Sequence, residues 1–232
     1  MTTALDRQTL EFDEPTGVGP RGTLVVLPGR GDTPSVYHRF GARIAVDAYK
    51  VRVVADQQAA QAVLADALAP VILVGIDTGA LEALDLTQNQ GAEVAGLVLV
   101  GLPDAGDEGP IDWDEEVAAR ASCPTQQARL ADTAILERGQ LTATNVAEHL
   151  RTVTPDTDLP VLALHGQDDA VSPLTQARAR YAGARNARVL SVAQGRHDVL
   201  NSLNHRSVAA SVVVFLESLK AGAELVHQEN AE

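Results

Sequence analysis

Aromatic side chains are scarce. The chain of 232 residues has one tryptophan, three tyrosines and three phenylalanines, so valine, leucine and alanine must fill its core. Cysteine is scarcer still. Cys123 stands alone, which excludes an intrachain disulfide and suits a reducing compartment. Long apolar runs are also missing. The longest, around Val94 to Pro103, is about half of the ~20 residues needed to span a bilayer. The opening MTTALDRQ has no basic segment followed by an apolar one, so no secretory leader is expected. Positive charge is in deficit: 18 Lys and Arg face 31 Asp and Glu, for a net charge of −13. Such a field repels polyphosphates, and no Lys/Arg block interrupts it. The expectation is a cytoplasmic protein with a small-molecule substrate and neither nucleic acid nor membrane as partner. A homodimer is compatible with this composition.

A repeating pattern fills the chain. Leu10 and Phe12 alternate with polar residues, as in an edge strand. Short apolar runs follow at Thr23–Leu27, Val51–Ala55, Val71–Val74, Val94–Val100, Val161–Leu164 and Ala187–Val192. Helix-like stretches separate most of them: Ser35–Asp47, Gln57–Leu68, Thr78–Thr87 and Pro173–Tyr181, with a last one carrying Val208, Val212, Phe215, Leu216 and Leu219 on one face. Strand and helix alternating at this spacing predict an α/β fold: a mostly parallel central sheet with helices on both faces. One interval breaks the rhythm. Residues 105–159 predict three short helices, around Trp113–Arg120, Thr125–Leu136 and Asn145–Val153, forming a small helical cap inserted into a core of residues 1–104 and 160–232.

In such a sheet, ligands gather beyond the carboxyl ends of the strands, and three polar features fall there. Gly75-Ile76-Asp77-Thr78-Gly79 joins a buried strand to a helix. Its glycines permit a sharp turn that lifts Asp77 to the amino end of the helix, where an anion is favoured. Asp168 and Asp169 follow the strand ending at His165, and the spacing from Gly166 favours Asp169. His197 follows the last strand. A carboxylate and a histidine there can form an acid–base pair. His165 reads as a loop anchor. His38, His149, His205 and His227 have no metal-ligand spacing, Cys123 has no histidine motif around it, and Ser35 and Ser172 lack an elbow. PGRGD lacks the P-loop lysine and the G-x-G-x-x-G spacing. No metal and no cofactor are expected.

The chain order of elbow residue, acid and histidine resembles the α/β-hydrolase superfamily from about Gly22 to Leu219. The stretch GRHDVLNSLNHRSVAASVVVFLESL is similar to monoacylglycerol lipases and lysophospholipase-type hydrolases, whose elbows carry serine. Aspartate at the elbow instead resembles epoxide hydrolases and haloalkane dehalogenases. The resemblance implies Asp77 as nucleophile, Asp169 as acid and His197 as base, with backbone N–H groups of Arg30 and Thr78 as oxyanion donors. It also directs attention to Gly29, Tyr37 and His38 near the first loop, and to Trp113 in the insertion, as substrate-binding candidates. The dehalogenase tryptophan after the nucleophile is replaced by Thr78, the first loop reads PGRG rather than HGxP, and 105–159 has no tyrosine. Three readings stay open: covalent hydrolysis through Asp77, an esterase- or thioesterase-like hydrolase that activates water directly, and a catalytically silent fold that binds a ligand or partner.

Overall fold

The structure, a computed structural model, describes residues 7–103, 112–132, 134–141 and 146–227, apart from the side chain of Trp113. Seven strands form one sheet: β1 (Leu10–Phe12), β2 (Thr23–Leu27), β3 (Lys50–Val53), β4 (Val71–Ile76), β5 (Gly96–Val100), β6 (Val161–Gly166) and β7 (Ala187–Val192). Their order is β1-β3-β2-β4-β5-β6-β7. Only β1 runs antiparallel, against β3; the other neighbours are parallel. Among the described residues, seven α-helices accompany them: α1 (His38–Ala45), α2 (Gln57–Leu64), α3 (Thr78–Gln88), α4 (Trp113–Arg120), α5 (Pro124–Leu130), α6 (Leu174–Tyr181) and α7 (His205–Ala221).

The apolar runs become strands because both of their faces are covered. Every residue of β2, β4, β5 and β6 is buried, as continuous apolar runs in parallel sheets require. Leu24, Val26, Ile72 and Val98 pack with Ile44 of α1 and Val212 of α7 on one face. Val25, Leu73 and Leu97 pack with Ala60 of α2 and Leu84 of α3 on the other. No helix among the described residues is long and apolar enough to cross a membrane.

The chain leaves β2 toward β3 and then returns to the other side of β2 as β4. This reversal opens a crevice where the loops after β2 and β4 diverge. The loop after β2 carries Arg30; the loop after β4 carries Asp77.

The interval 105–159 departs from expectation in its details. Its first helix, α4, has the expected bounds. The second, α5, stops at Leu130, after which the chain turns so that Asp32 and Leu136 form an isolated β-bridge. The third shrinks to a 3₁₀ turn at Glu148–Leu150. The stretch predicted as one helix from Ser35 begins as a 3₁₀ turn (Pro34–Tyr37), with Pro34 near its start, before α1.

The β4–α3 turn tolerates only glycine at its flanks. A Cβ on Gly75 would stand 2.2 Å from the carbonyl oxygen of Gly79, and one on Gly79 2.2 Å from that of Leu27. Both clashes are with backbone, so no rotamer change relieves them. Gly75→Ala is expected to destabilise the fold by about 1–3 kcal/mol or more, read as a lower urea midpoint with an unchanged m-value. An unchanged midpoint would mean that helix and strand do not meet this closely.

Candidate active site

Asp77 sits at the turn with φ 52° and ψ −122°. A non-glycine residue in this region costs on the order of 1–3 kcal/mol. Hydrogen bonds hold it there: its N–H donates to Val100 O at 2.9 Å, and its carbonyl accepts from Ala80 N at 2.9 Å. The side chain is buried and meets a concentrated positive charge. Arg30 donates from Nε to Asp77 Oδ2 at 2.8 Å and from Nη2 to Oδ1 at 2.7 Å. The backbone N–H of Arg30 adds a third bond, to Oδ2, at 2.9 Å. Burial alone would raise the carboxyl's pKa. Arg30, with His197 beside it, outweighs burial and holds the pKa far below the carboxylate range.

His197 completes the line of charges. Its Nδ1 lies 3.0 Å from Asp169 Oδ2. Its Nε2 lies 3.2 Å from Asp77 Oδ1, yet off the hydrogen-bond axis, and has no hydrogen-bond partner among the described residues. Asp169 is fixed from behind: Oδ1 accepts from the backbone N–H groups of Val171 and Ser172 at 2.9 Å each. His165 Nε2 stands 3.2 Å from Asp169 Oδ2 and bonds the carbonyl of Ser172, so His165 anchors this loop. Asp168 is exposed; Asp169 is the acid that faces the histidine. Burial alone would lower the His197 pKa. Asp169, then Asp77, reverse this and lift it to about 10. At neutral pH the imidazole is therefore a cation between two carboxylates.

A second ionic group stands behind the first. Arg120 of α4 donates to Glu116 Oε1, to Asp32 Oδ1 at 3.1 Å and to the carbonyl of Arg30 at 2.8 Å. Tyr37 donates its hydroxyl to Asp32 Oδ2 at 2.6 Å. Asp32, Asp77, Arg120, His197 and Asp198 line one cavity together with Val36, Ile76 and Leu130. It offers about 10 Å³, close to the least that admits one water. Larger clefts lie elsewhere. That between β7 and α7, about 570 Å³, is lined by apolar residues, serines and Asn204; with no ionisable group it has no means of proton transfer.

The structure thus brings Asp77, Asp169, His197 and Arg30 together. Gly29 packs against Asp77: a Cβ on it would lie 2.9 Å from Asp77 Cβ. Thr78 is buried at the first position of α3. Tyr37 reaches the site only through Asp32. His38 does not reach it: the side chain is exposed and packs edge-on against Phe12, with ring centroids 5.2 Å apart. Its place on the outer face of α1 next to β1 explains this. Trp113 opens α4, and its side chain lies outside the described residues. Asp32, Glu116, Arg120 and Asp198 were not legible as site residues. The only signal was charge within loops and helices adjoining the strand ends.

Solved structures of similar shape share this architecture. Monoacylglycerol lipase of Paleococcus ferrophilus is 12% identical, with 91% of this chain and 98% of that one covered and a TM-score of 0.71. A soluble variant of monoglyceride lipase from Saccharomyces cerevisiae is 12% identical over 94% and 96%, with a TM-score of 0.73. An esterase from Exiguobacterium antarcticum is 17% identical over 90% and 95%, with a TM-score of 0.67. The chain has the α/β-hydrolase fold. No family model matches its sequence, and neither does any curated protein. These identities establish the fold alone.

The His197 cation ties stability to pH. Its folded pKa, about 10, lies above the ordinary 6.5. Its contribution is therefore complete below pH 6.5 and is lost as pH rises toward 10. Urea unfolding of wild type is expected to show stability falling across pH 6.5–10, and His197→Gln to flatten this slope. Equal slopes in the two proteins would place the proton elsewhere.

Proposed function

We propose that this chain is a cofactor-independent hydrolase in which Asp77 forms a covalent ester with substrate and His197, held by Asp169, activates the water that cleaves it. The observation that carries the reading is a buried imidazole with one nitrogen on a carboxylate and the other unpaired, 3.2 Å from a second carboxylate at a strand–helix elbow.

The proton balance narrows the substrate. In the resting site Asp77 is ionised and needs no base to attack. His197 is already protonated and cannot serve as a base. It can act as an acid. Attack of an Asp77 oxygen on a ring carbon of an epoxide breaks the C–O bond, and the departing oxygen takes the His197 proton. The product is a neutral hydroxyalkyl ester beside a neutral imidazole. Esterification also removes one of the two anions that raise the His197 pKa, so His197 is now poised as a base. Water then gives one proton to Nε2 as its oxygen bonds to Asp77 Cγ. The oxyanion forms where Arg30 N–H and Nε now hold Oδ2. Collapse releases the diol, which takes a proton from His197. The Asp77 carboxylic acid, far too strong to stay protonated here, returns a proton to His197 and restores the ion pair. An alkyl halide leaves without a proton and gives His197 no means of discharging its own. The geometry therefore favours small apolar epoxides over halides.

A second reading keeps one specific support. Arg30 engages both oxygens of Asp77, and the cavity has room for little more than a water. A site tightened in this way also fits a catalytically silent fold.

Incubation with styrene oxide and 1-bromobutane, followed by intact mass measurement, separates these readings. With styrene oxide, wild type is expected to make diol. With 1-bromobutane, whose leaving group needs no proton, His197→Gln should accumulate a protein adduct one butyl group heavier, mapped to Asp77, because its water is no longer activated. Asp77→Asn should lose turnover by about 10³-fold or more and gain no adduct. If neither the epoxide nor the halide gives diol, alcohol or adduct with any of these proteins, the covalent reading is defeated in favour of the silent one.

A further inference from the structure

We propose that Asp32 is a second carboxylate of the reaction, accepting a hydrogen bond from the hydrolytic water and so holding it against His197. This rests on the covalent reading of Asp77. The cavity between these groups has room for about one water, and a buried water needs two to four polar partners. One partner is the buried Nε2 of His197, which makes no hydrogen bond among the described residues and stands 3.2 Å from Asp77 Oδ1. The same cavity is lined by the Asp32 carboxylate, whose side chain is only 6% exposed. Two anchors fix that carboxylate: Tyr37 Oη on Oδ2 at 2.6 Å and Arg120 Nη1 on Oδ1 at 3.1 Å. A carboxylate has about four lone-pair sites, so each oxygen keeps the capacity to accept again. Asp32 is also placed beside the reacting carboxyl. A Cβ on Gly29 would lie 3.3 Å from Asp32 Oδ2 and 3.4 Å from Asp77 Oδ2, so both oxygens approach the same point above Gly29.

The step then runs as follows. Water oxygen bonds to Asp77 Cγ. One of its protons passes to His197 Nε2. The other stays on oxygen and points at Asp32, which remains ionised throughout. Asp32 therefore acts only as an anion. Burial pushes its pKa up, Arg120 and Tyr37 pull it down, and Asp198 and Asp77 across the cavity push it up again, leaving it at about 6. His197 also faces the cavity. Ester breakdown should thus be supported above pH 6 and fade as pH falls through that value. Asp198 lines the same cavity, its oxygens held by Asn201, and it is the natural comparison.

Two measurements test this. In a high-resolution crystal structure of the resting protein, one water is expected within hydrogen-bond distance of both Asp32 and His197 Nε2. An empty cavity, or a water reaching only one of them, overturns the proposal whatever the fate of Asp77. The second is rapid-quench measurement of the styrene oxide ester on Asp77. Asp32→Asn should form the ester at close to the wild-type rate but break it down about ten- to a hundred-fold more slowly, the worth of one hydrogen bond to a charged group. The limb near pH 6 should vanish. Tyr37→Phe, which removes a bond that lowers the Asp32 pKa, should move that limb to higher pH. Asp198→Asn, which removes a charge that raises the Asp32 pKa, should move the limb to lower pH without abolishing it. Unchanged breakdown in Asp32→Asn, or loss of the limb in Asp198→Asn instead, overturns the role of Asp32. If no ester forms on Asp77 in wild type with styrene oxide or in His197→Gln with 1-bromobutane, the covalent reading fails, and the proposal that depends on it falls too.

Discussion

A carboxylate buried at the end of β4 has to find positive charge, and the strand-end architecture follows from that need. An isolated ionised carboxyl in a low-dielectric interior costs many kcal/mol. Asp77 cannot relax toward solvent, because the backbone turn that carries it is fixed by close glycine packing on both sides. Arg30 arrives from the loop after β2, across the crevice created where the sheet order reverses. His197 arrives from the loop after β7. Each cation then needs its own counter-charge and support. Asp169 holds His197, and Arg120 holds the carbonyl of Arg30 while pairing with Glu116 and Asp32. The segment between β5 and β6 is thereby tied to the loop after β2 through charge as well as apolar contact.

This arrangement changes what the fold can do. A hydroxyl at an elbow is neutral until a base removes its proton. A carboxylate there is charged from the outset, and together with Asp169 it holds the neighbouring histidine as a cation. On the proposed reading, chemistry begins with the histidine as acid and uses it as base only after Asp77 has been neutralised. The sequence of protonation states is set by electrostatics, before any substrate is specified. In the proposed reaction a strong clamp on Asp77 is compatible with turnover: the guanidinium that weakens the attacking oxygen also faces the place where negative charge would develop during hydrolysis.

The sheet was legible because its strands are continuous apolar runs separated by helical periodicity, a pattern that depends on local sequence. The elbow was legible for a related reason: glycines on either side of Asp77 report a local steric demand. Asp169 and His197 could be located by their position after strands. The ionic second group was not legible. Asp32 and Arg120 are 88 residues apart, and a buried charge in a loop has no periodic signature. The third helix of the insertion failed as a prediction because apolar spacing over a few residues does not distinguish a helix from a turn whose side chains are buried by neighbours. His38 was misplaced because loop proximity in sequence says nothing about which side of α1 a residue occupies.

A double-mutant cycle on Arg30 and Asp77 addresses the buried pair without reference to any substrate. Arg30→Met, Asp77→Leu and the double variant would be compared with wild type by urea unfolding at pH 7. Each single change leaves one charge buried without its main partner and should cost about 3–5 kcal/mol. The double change should cost much less than their sum, with a coupling of about 3 kcal/mol. Additive losses would mean that the two side chains do not share a buried ion pair, and the account of the site built on that pair would not stand.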